Sequence, residues 1–389
     1  MGFFIDYAYD FINKKNEELC GDNIEVIETE ENIIIILSDG LGSGVKANIL
    51  ATMTTKIAGT MLKGGATVYE TVETIASTLP VCNVRKLAYS TFAILKISKN
   101  GKVHIVEYDN PPVFFIRNGG LVKLNKKEQI IHGKKILESK AQLIKGDSLI
   151  LVSDGVIHAG VGEVLTLGWK WENVAKYLIK QSKIEECAKV ISRRVVDTSN
   201  FFFNQRPGDD ISVAVVKARE TEVLQVFSGP PKNKKDDPIL VQKILQSKGK
   251  KIVCGGTAAN IVSRETGKDI KVDIQTGTNE VPPVAKMEGL DLVTEGVLTL
   301  TKVLKNIDEY LVNTHLKESS QPFKSKDGAT RLTKMFIKDC THINFYVGQA
   351  INPAHQNPDL PNLGIKTQVI KSIAERLENM GKQVTIEYY

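Results

Sequence analysis

The chain has 389 residues, 42% apolar and 25% charged, which is ordinary globular usage and excludes a disordered chain, a collagen and a coiled-coil rod. Its 51 basic and 45 acidic side chains leave a formal charge of +6. The lysines sit in short clusters (Lys126-Lys127, Lys134-Lys135, Lys232 to Lys235, Lys248 to Lys251) without interleaved aromatics, so no nucleic-acid partner is expected.

The length predicts two or three domains. The longest apolar run, Ile33 to Leu37, is far short of the ~20 residues a membrane helix needs, so no membrane partner is expected. The start at Met1 lacks a basic stretch, and no secretory signal is expected. Cys20, Cys82, Cys187, Cys254 and Cys340 are scattered with no C-x-x-C pair, which predicts reduced thiols, a cytoplasmic location and no zinc site.

In chain order, residues 1–20 read as a short helical lead-in. Ile24 to Glu28 alternates and reads as a strand, and Asn32 to Ser38 reads as a buried strand ending in the turn Asp39-Gly40. Gly44 to Leu62 has helical spacing, with Val45, Ile49, Met53 and Ile57 along one expected core face. A second helix is predicted from Val68 to Leu79, closed by Pro80. Strands follow at Thr91 to Ser98, Val103 to Tyr108 and Val113 to Arg117, the first two joined at Asn100-Gly101. A strand at Ser148 to Ser153, helices at Trp171 to Gln181 and Ile184 to Thr198, and a strand at Ile211 to Lys217 complete an α+β first half.

Residues 220–238, rich in turn residues and charge around Ser228 to Pro238, read as a linker. Beyond them, over 239–389, helices at Ile239 to Gln246, Glu295 to Leu311 and Ile365 to Met380 alternate with strands at Lys251 to Cys254, Ile343 to Val347 and Gln383 to Tyr388. That pattern predicts a smaller α/β domain. Its Gly255-Gly256-Thr257, between a strand and a helix, is a possible ligand-binding nest for an anion, or an ordinary turn.

Four acidic positions share one context: Gly21-Asp22, Asp39-Gly40, Asp154-Gly155 and Gly208-Asp209-Asp210 each sit beside glycine at the edge of an apolar strand. Asp-Gly is a common turn dipeptide, so any one of them is unremarkable alone. Ser-Asp-Gly, however, follows a branched apolar run twice, at Ser38 and Ser153. Several carboxylates projected from neighbouring strand ends need a cation, and oxygen ligands without histidine or thiolate favour Mg²⁺ or Mn²⁺.

The order of these motifs resembles the PPM family of metal-dependent serine/threonine phosphatases, and in particular the catalytic domain of the sporulation stage II protein E type. The matching segments are Gly21-Asp22, Ile35 to Gly44, Tyr89 to Ala93, Asn110 to Gly119, Gly146 to Val156 and Gly208 to Val213, in residues 1–219. The resemblance implies a PPM-type β-sandwich flanked by helix pairs, holding two Mn²⁺ or Mg²⁺ ions. It implies that Asp39 bridges both ions, that the Gly40 carbonyl ligates one, that Asp154 and Asp209 complete the set and that Asp22 acts at the rim through water. Asp210 would orient rather than ligate. It further implies a cytoplasmic phosphoprotein phosphatase of bacterial signalling. The substrate would carry phosphoserine or phosphothreonine, in the manner of an anti-anti-sigma-like regulator, and would be hydrolysed by a two-metal-activated water. The 239–389 domain would be regulatory or targeting. The alternative is a catalytically weak PPM-fold sensor or scaffold. Leu41 stands where many eukaryotic members have histidine. His158 is a candidate acid, or a plain helix-start residue.

Overall fold

The computed structural model describes residues 3–78, 90–185, 187–312, 325–350 and 364–389. It divides into two units, Met1–Arg219 and Glu220–Tyr389.

The first unit opens on a strand, β1 (Phe3–Ile12), where a helix is expected from the sequence. The correction has a tertiary cause. The buried Asp6 carboxylate accepts from the Ala188 backbone N–H (3.0 Å), and Asp10 accepts from Ser192 Oγ (2.6 Å) and Lys189 Nζ (2.7 Å). Those partners lie 179–182 residues along the chain, out of reach of any local pattern.

Next come β2 (Asp22–Glu28) and β3 (Asn32–Gly40), then helices α1 (Gly44–Lys63) and α2 (Val68–Thr78). Leu79, Pro80, Cys82 and Tyr89 lie outside the described residues. The chain continues with β4 (Ser90–Ser98), β5 (Lys102–Tyr108), β6 (Phe114–Arg117), β7 (Gly120–Leu121), β8 (Lys127–Ile131), β9 (Lys134–Gln142) and β10 (Ser148–Val152). After these come α3 (Asp154–Ile157), α4 (Trp171–Ile184), α5 (Ala188–Phe202) and β11 (Ile211–Glu220).

The strands form two sheets, ordered β2-β3-β4-β5-β9-β8 and β1-β11-β10-β6-β7. One core joins them: Ile35, Leu37, Leu95 and Ile105 of the first pack with Phe115, Leu149, Leu151 and Val216 of the second. Because side chains alternate along a strand, Ile34 and Ile36 turn the other way, onto α1 and α2 with Ala58 and Val72. Ile150 and Val213 likewise face α4 and α5 with Leu178 and Ile191. The central strands are thus apolar on both faces, which makes their ends rigid.

Helix α1 turns a different face inward from the one its spacing suggests. Val45, Ile49 and Met53 are 59%, 52% and 43% exposed, while Ala47, Ala51, Thr54, Thr55 and Ala58 are buried. Small residues win that face because the helix backbone lies close against the sheet. A methyl group on Gly40 would stand 2.0 Å from the Ala47 carbonyl oxygen.

The second unit does not begin with a linker. Residues 220–238 contain β12 (Val223–Ser228), whose Leu224, Val226 and Phe227 are buried mid-sheet, followed by a 3-10 turn at Lys234–Asp236 and by α6 (Asp237–Gln246). There follow β13 (Lys250–Cys254), α7 (Gly256–Thr266), β14 (Lys271–Asp273), β15 (Val284–Lys286), β16 (Leu292–Thr294) and α8 (Val297–Val312). Then come α9 (Gly328–Ile337), β17 (His342–Val347), α10 (Ile365–Asn379) and β18 (Gln383–Tyr388). The sheet order is β14-β15-β16-β13-β12-β17-β18, and β16, β13, β12, β17 and β18 pair in parallel. The first parallel strand in sequence is therefore central, and the chain order reverses between β12 and β17.

Both tryptophans, Trp169 and Trp171, belong to the first unit, so their fluorescence reports its unfolding alone. In urea unfolding read this way, Ala51→Leu should cost about 1–3 kcal/mol by overpacking. Ile49→Gln should stay within about 0.5 kcal/mol. The reverse ranking would mean that α1 packs on its Val45–Ile49–Met53 face.

Candidate metal centre

Four strand ends bring the acidic residues together. Asp22 opens β2 and lies directly across the ladder from Asp39 at the end of β3. Asp154 follows β10 through Ser153, and Asp209 and Asp210 precede β11. The last two segments are laced. The Ser153 N–H donates to the Ser212 carbonyl (2.9 Å), the Ser212 N–H donates to Ser153 Oγ (3.0 Å), and Ser153 Oγ donates to the Asp210 carbonyl (3.3 Å).

Glycine beside each carboxylate has a local reason. A methyl on Gly155 would lie 2.0 Å from the Asp210 carbonyl oxygen, and one on Gly21 would lie 2.8 Å from Asp210 Oδ2. Real side-chain carbons do not approach so closely. Glycine is what lets the strand ends, and hence the carboxylates, converge.

The convergence is expensive in charge. Asp39 is pushed up to about 9, first by burial and then by the negative charge of Asp22, Asp154, Asp209 and Asp210. Asp22 is pushed up to about 8, by burial above all; hydroxyl donors on Ser212 and Ser153 partly offset this, and Asp210 and Asp154 add to it. Asp154 and Asp209 are also raised, mainly by burial, with His158 pulling Asp154 back and Lys14 pulling Asp209 back. Asp210 Oδ1 accepts the Lys14 backbone N–H at 2.9 Å.

The residues fit a hard divalent cation. All side-chain donors are carboxylate oxygens, and Asp22 Oδ2 is buried with no hydrogen-bond partner among the described residues. Among the described residues no group of three or more acidic, imidazole or thiol side chains stands close enough to hold a metal ion without water. A Mg²⁺-type site does not require one, since such ions keep several waters and take only one or two carboxylates each.

His158 caps α3 on the exposed side, its N–H on the Asp154 carbonyl (2.8 Å), and Leu41 is half-buried. Asn110, from the loop after β5, donates to the Val152 carbonyl (3.3 Å), and its Oδ1 is buried without a partner. A cavity of about 660 Å³ opens beside Asp154, with Asp109-Asn110-Pro111-Pro112 on its wall. Sequence reasoning missed Lys14 and the β8–β9 hairpin that helps line this cavity. Nothing local marks Lys14. The alternation Gln129, Ile131 and Ile136 around His132-Gly133 could have revealed the hairpin.

In the second unit, Gly255 has φ +120° and caps α7, Gly256 opens that helix, and a methyl on Gly256 would meet nothing within 4 Å. Thr257 follows on the same helix. The four described cysteines, Cys20, Cys187, Cys254 and Cys340, are buried, while Cys82 and His355 lie outside the described residues.

The sequence model of the stage II sporulation protein E (SpoIIE) family matches residues 29–219. Residues 29–219 thus carry a SpoIIE-family domain. Among solved structures, the SpoIIE phosphatase domain with a fragment of its regulatory domain from Bacillus subtilis is 20% identical (TM-score 0.48; 56% of this chain, 64% of that one). The chain thus spans less than two thirds of that structure. The RsbU and RsbW domains of a Mycobacterium tuberculosis protein are 14% identical (TM-score 0.46; 62% of this chain, 68% of that one). RsbX in complex with magnesium is 18% identical (TM-score 0.38; 55% of this chain, 95% of that one). No curated protein matches the chain in sequence. No helix among the described residues is long and apolar enough to cross a membrane.

The raised carboxylates of the SpoIIE domain give a pH prediction. A raised folded-state pKa means stability that is complete below the ordinary carboxylate range near 4 and is lost as pH rises toward 8–9, the values of Asp22 and Asp39. In EDTA, the tryptophan-monitored melting temperature should fall from pH 5 to pH 9. Added Mn²⁺ replaces those protons, so its stabilising increment should be larger at pH 8 than at pH 5. Equal increments at the two pH values would contradict this electrostatic reading.

Proposed function

We propose that Met1–Arg219 is a metal-dependent protein serine/threonine phosphatase domain with a PPM-type sandwich of two sheets between helix pairs. Its substrates would be phosphoserine or phosphothreonine proteins in bacterial signalling. The observation that carries this reading is the meeting of five carboxylates at the starts of β2 and β11 and the ends of β3 and β10, with burial raising the pKa of Asp22, Asp39, Asp154 and Asp209.

Asp39 feels all four other acids, which suits the carboxylate shared between two Mn²⁺ or Mg²⁺ ions. The Gly40 carbonyl, Asp154 and Asp209 would complete the inner ligands, and Asp22 would act at the rim through water. Asp210, anchored on the Lys14 N–H, would orient its neighbours. When bound, the ions supply an activated water and neutralise phosphoryl oxygens. The protein's part is to give up protons in exchange for them, to keep the carboxylates on rigid strand ends, and to lay the phosphorylated side chain along the cavity beside Asp154. His158, exposed one turn after Asp154, is the candidate proton donor to the leaving oxygen.

The partner we propose is a phosphorylated regulator of the anti-anti-sigma kind, in the cytoplasm. The presence of every expected carboxylate argues against a catalytically silent scaffold. For the second unit we propose a regulatory or targeting role, with a ligand at Gly255, Gly256 and Thr257. These residues follow the carboxyl end of β13, next to the strand-order reversal where parallel sheets commonly bind ligands.

Asp39→Asn should lower Mn²⁺-dependent hydrolysis of a phosphothreonine peptide by at least about 10²-fold, as misalignment of a reacting centre does, with tryptophan fluorescence unchanged. EDTA should abolish hydrolysis, and Mn²⁺ should restore it better than Ca²⁺, which prefers longer bonds and more ligands. Near-native turnover in Asp39→Asn would overturn the assignment.

A further inference from the structure

The cavity beside Asp154 has a basic wall that the metal centre does not use. Lys126, His132, Lys134 and Lys135 line it together with the acidic Glu107, Asp109 and Asp154 and with Asn110-Pro111-Pro112. Most of these cations already have acidic neighbours. Lys126 pairs with the buried Glu107 (2.6 Å), Lys135 pairs with Glu128 (2.6 Å), and His132 stands 3.7 Å from Glu73.

Lys134 differs. Among the described residues it pairs with no carboxylate. Its ammonium donates only to the Ala76 carbonyl (3.2 Å) and lies 5.8 Å from the centre of the Tyr108 ring. It is half-buried, and burial lowers its pKa. A cation stripped of part of its water without an opposing charge is a standing cost that an incoming anion would offset.

The lysine is also held in place. His132 and Gly133 both have positive φ (+47° and +73°), the geometry of the two-residue turn that matches strand twist. Lys134 therefore starts β9 in register with Ile131, and the hairpin is pinned by Ile131 and Ile136 in the core beneath α1 and α2. On the neighbouring strand, β5 carries Tyr108 beside Lys134 and runs straight into Asn110. Asn110 is bonded to the Val152 carbonyl, two residues before Asp154. Lys134 and Asp154 thus both line one cavity. Its volume of about 660 Å³ is in the range that takes a sizeable ligand rather than a lone phosphoryl group.

We propose that this cavity seats the polypeptide around the phosphorylated residue, and that Lys134 selects substrates bearing an aspartate or glutamate within a few residues of it. The identity of the ligand rests on the phosphatase reading above. Lys134 is a specificity residue: it touches the substrate's flank and leaves the phosphoryl group to the carboxylate cluster.

The test uses the full chain, two phosphothreonine peptides that differ only in flanking glutamates or alanines, and p-nitrophenyl phosphate, which has no flank. Wild type should show a lower KM for the acidic peptide. Lys134→Met, which keeps the stem on Tyr108, should raise that KM about five- to tenfold, the loss expected for one partly desolvated charge pair. It should leave kcat, the neutral peptide and p-nitrophenyl phosphate unchanged, and Lys134→Arg should keep the preference. A wild type without preference overturns the proposal whatever the variants do. So does a Lys134→Met that loses all three substrates equally.

Fluorescence anisotropy of the labelled peptides in EDTA separates this proposal from the phosphatase reading. Lys134-dependent binding of the acidic peptide in EDTA, with no hydrolysis once Mn²⁺ is supplied, upholds the cavity assignment and sinks the phosphatase. Hydrolysis without preference sinks the cavity assignment and leaves the phosphatase standing. Neither binding nor hydrolysis sinks both.

Discussion

Five carboxylates at one end of two sheets repel one another, and the layers beneath them are what hold that repulsion in place. The burial of Asp22 and the mutual field around Asp39 push both well above the ordinary range, so the acids sit where they are least comfortable as anions without a counter-charge. They cannot drift apart. β3 and β10 are apolar on both faces, and the laced Ser153–Ser212 segment joins β10 to β11. The backbones approach to distances only glycine permits at Gly155 and Gly40. A folded domain that stores like charge in this way is primed to exchange protons for divalent cations.

Much of this was legible in the sequence, because it is written in short-range pattern. A branched apolar run followed by Ser-Asp-Gly is a buried strand with a carboxylate at its tip, and both instances, at Asp39 and Asp154, stand at the end of such strands. The turn at Asn100-Gly101 and the helices from Val68 and Trp171 were equally local. What failed was decided by tertiary contact. Residues 3–12, expected to be helical, form a strand because α5 supplies the hydrogen bonds that satisfy Asp6 and Asp10 there. Val45, Ile49 and Met53 form the more hydrophobic stripe of α1, yet close packing at Gly40 leaves room only for alanine and threonine beneath the helix. Lys134 looked like one more surface lysine; its burial and lack of a carboxylate partner come from α2 and Tyr108, distant in sequence.

The second unit shows the same division. Its helices and its strands at β13, β17 and β18 follow the periodicity, but β12 is hidden beside a stretch of glycine, proline and lysine that reads as a tether. Only parallel pairing with β13 and β17 on either side makes Val223–Ser228 the centre of a sheet. The loop chemistry at Gly255 and Gly256, by contrast, was visible in sequence, since a strand, two glycines and a helix are all local features.

The central claim is that the carboxylate cluster is a divalent-cation site. Crystals of the full chain grown with Mn²⁺ and measured at the manganese edge test it most directly. The account predicts two anomalous peaks at the end of β3, with Asp39 between them and Asp154 and Asp209 on either side. Peaks elsewhere on the chain, or none at a Mn²⁺ concentration that supports hydrolysis, would contradict it.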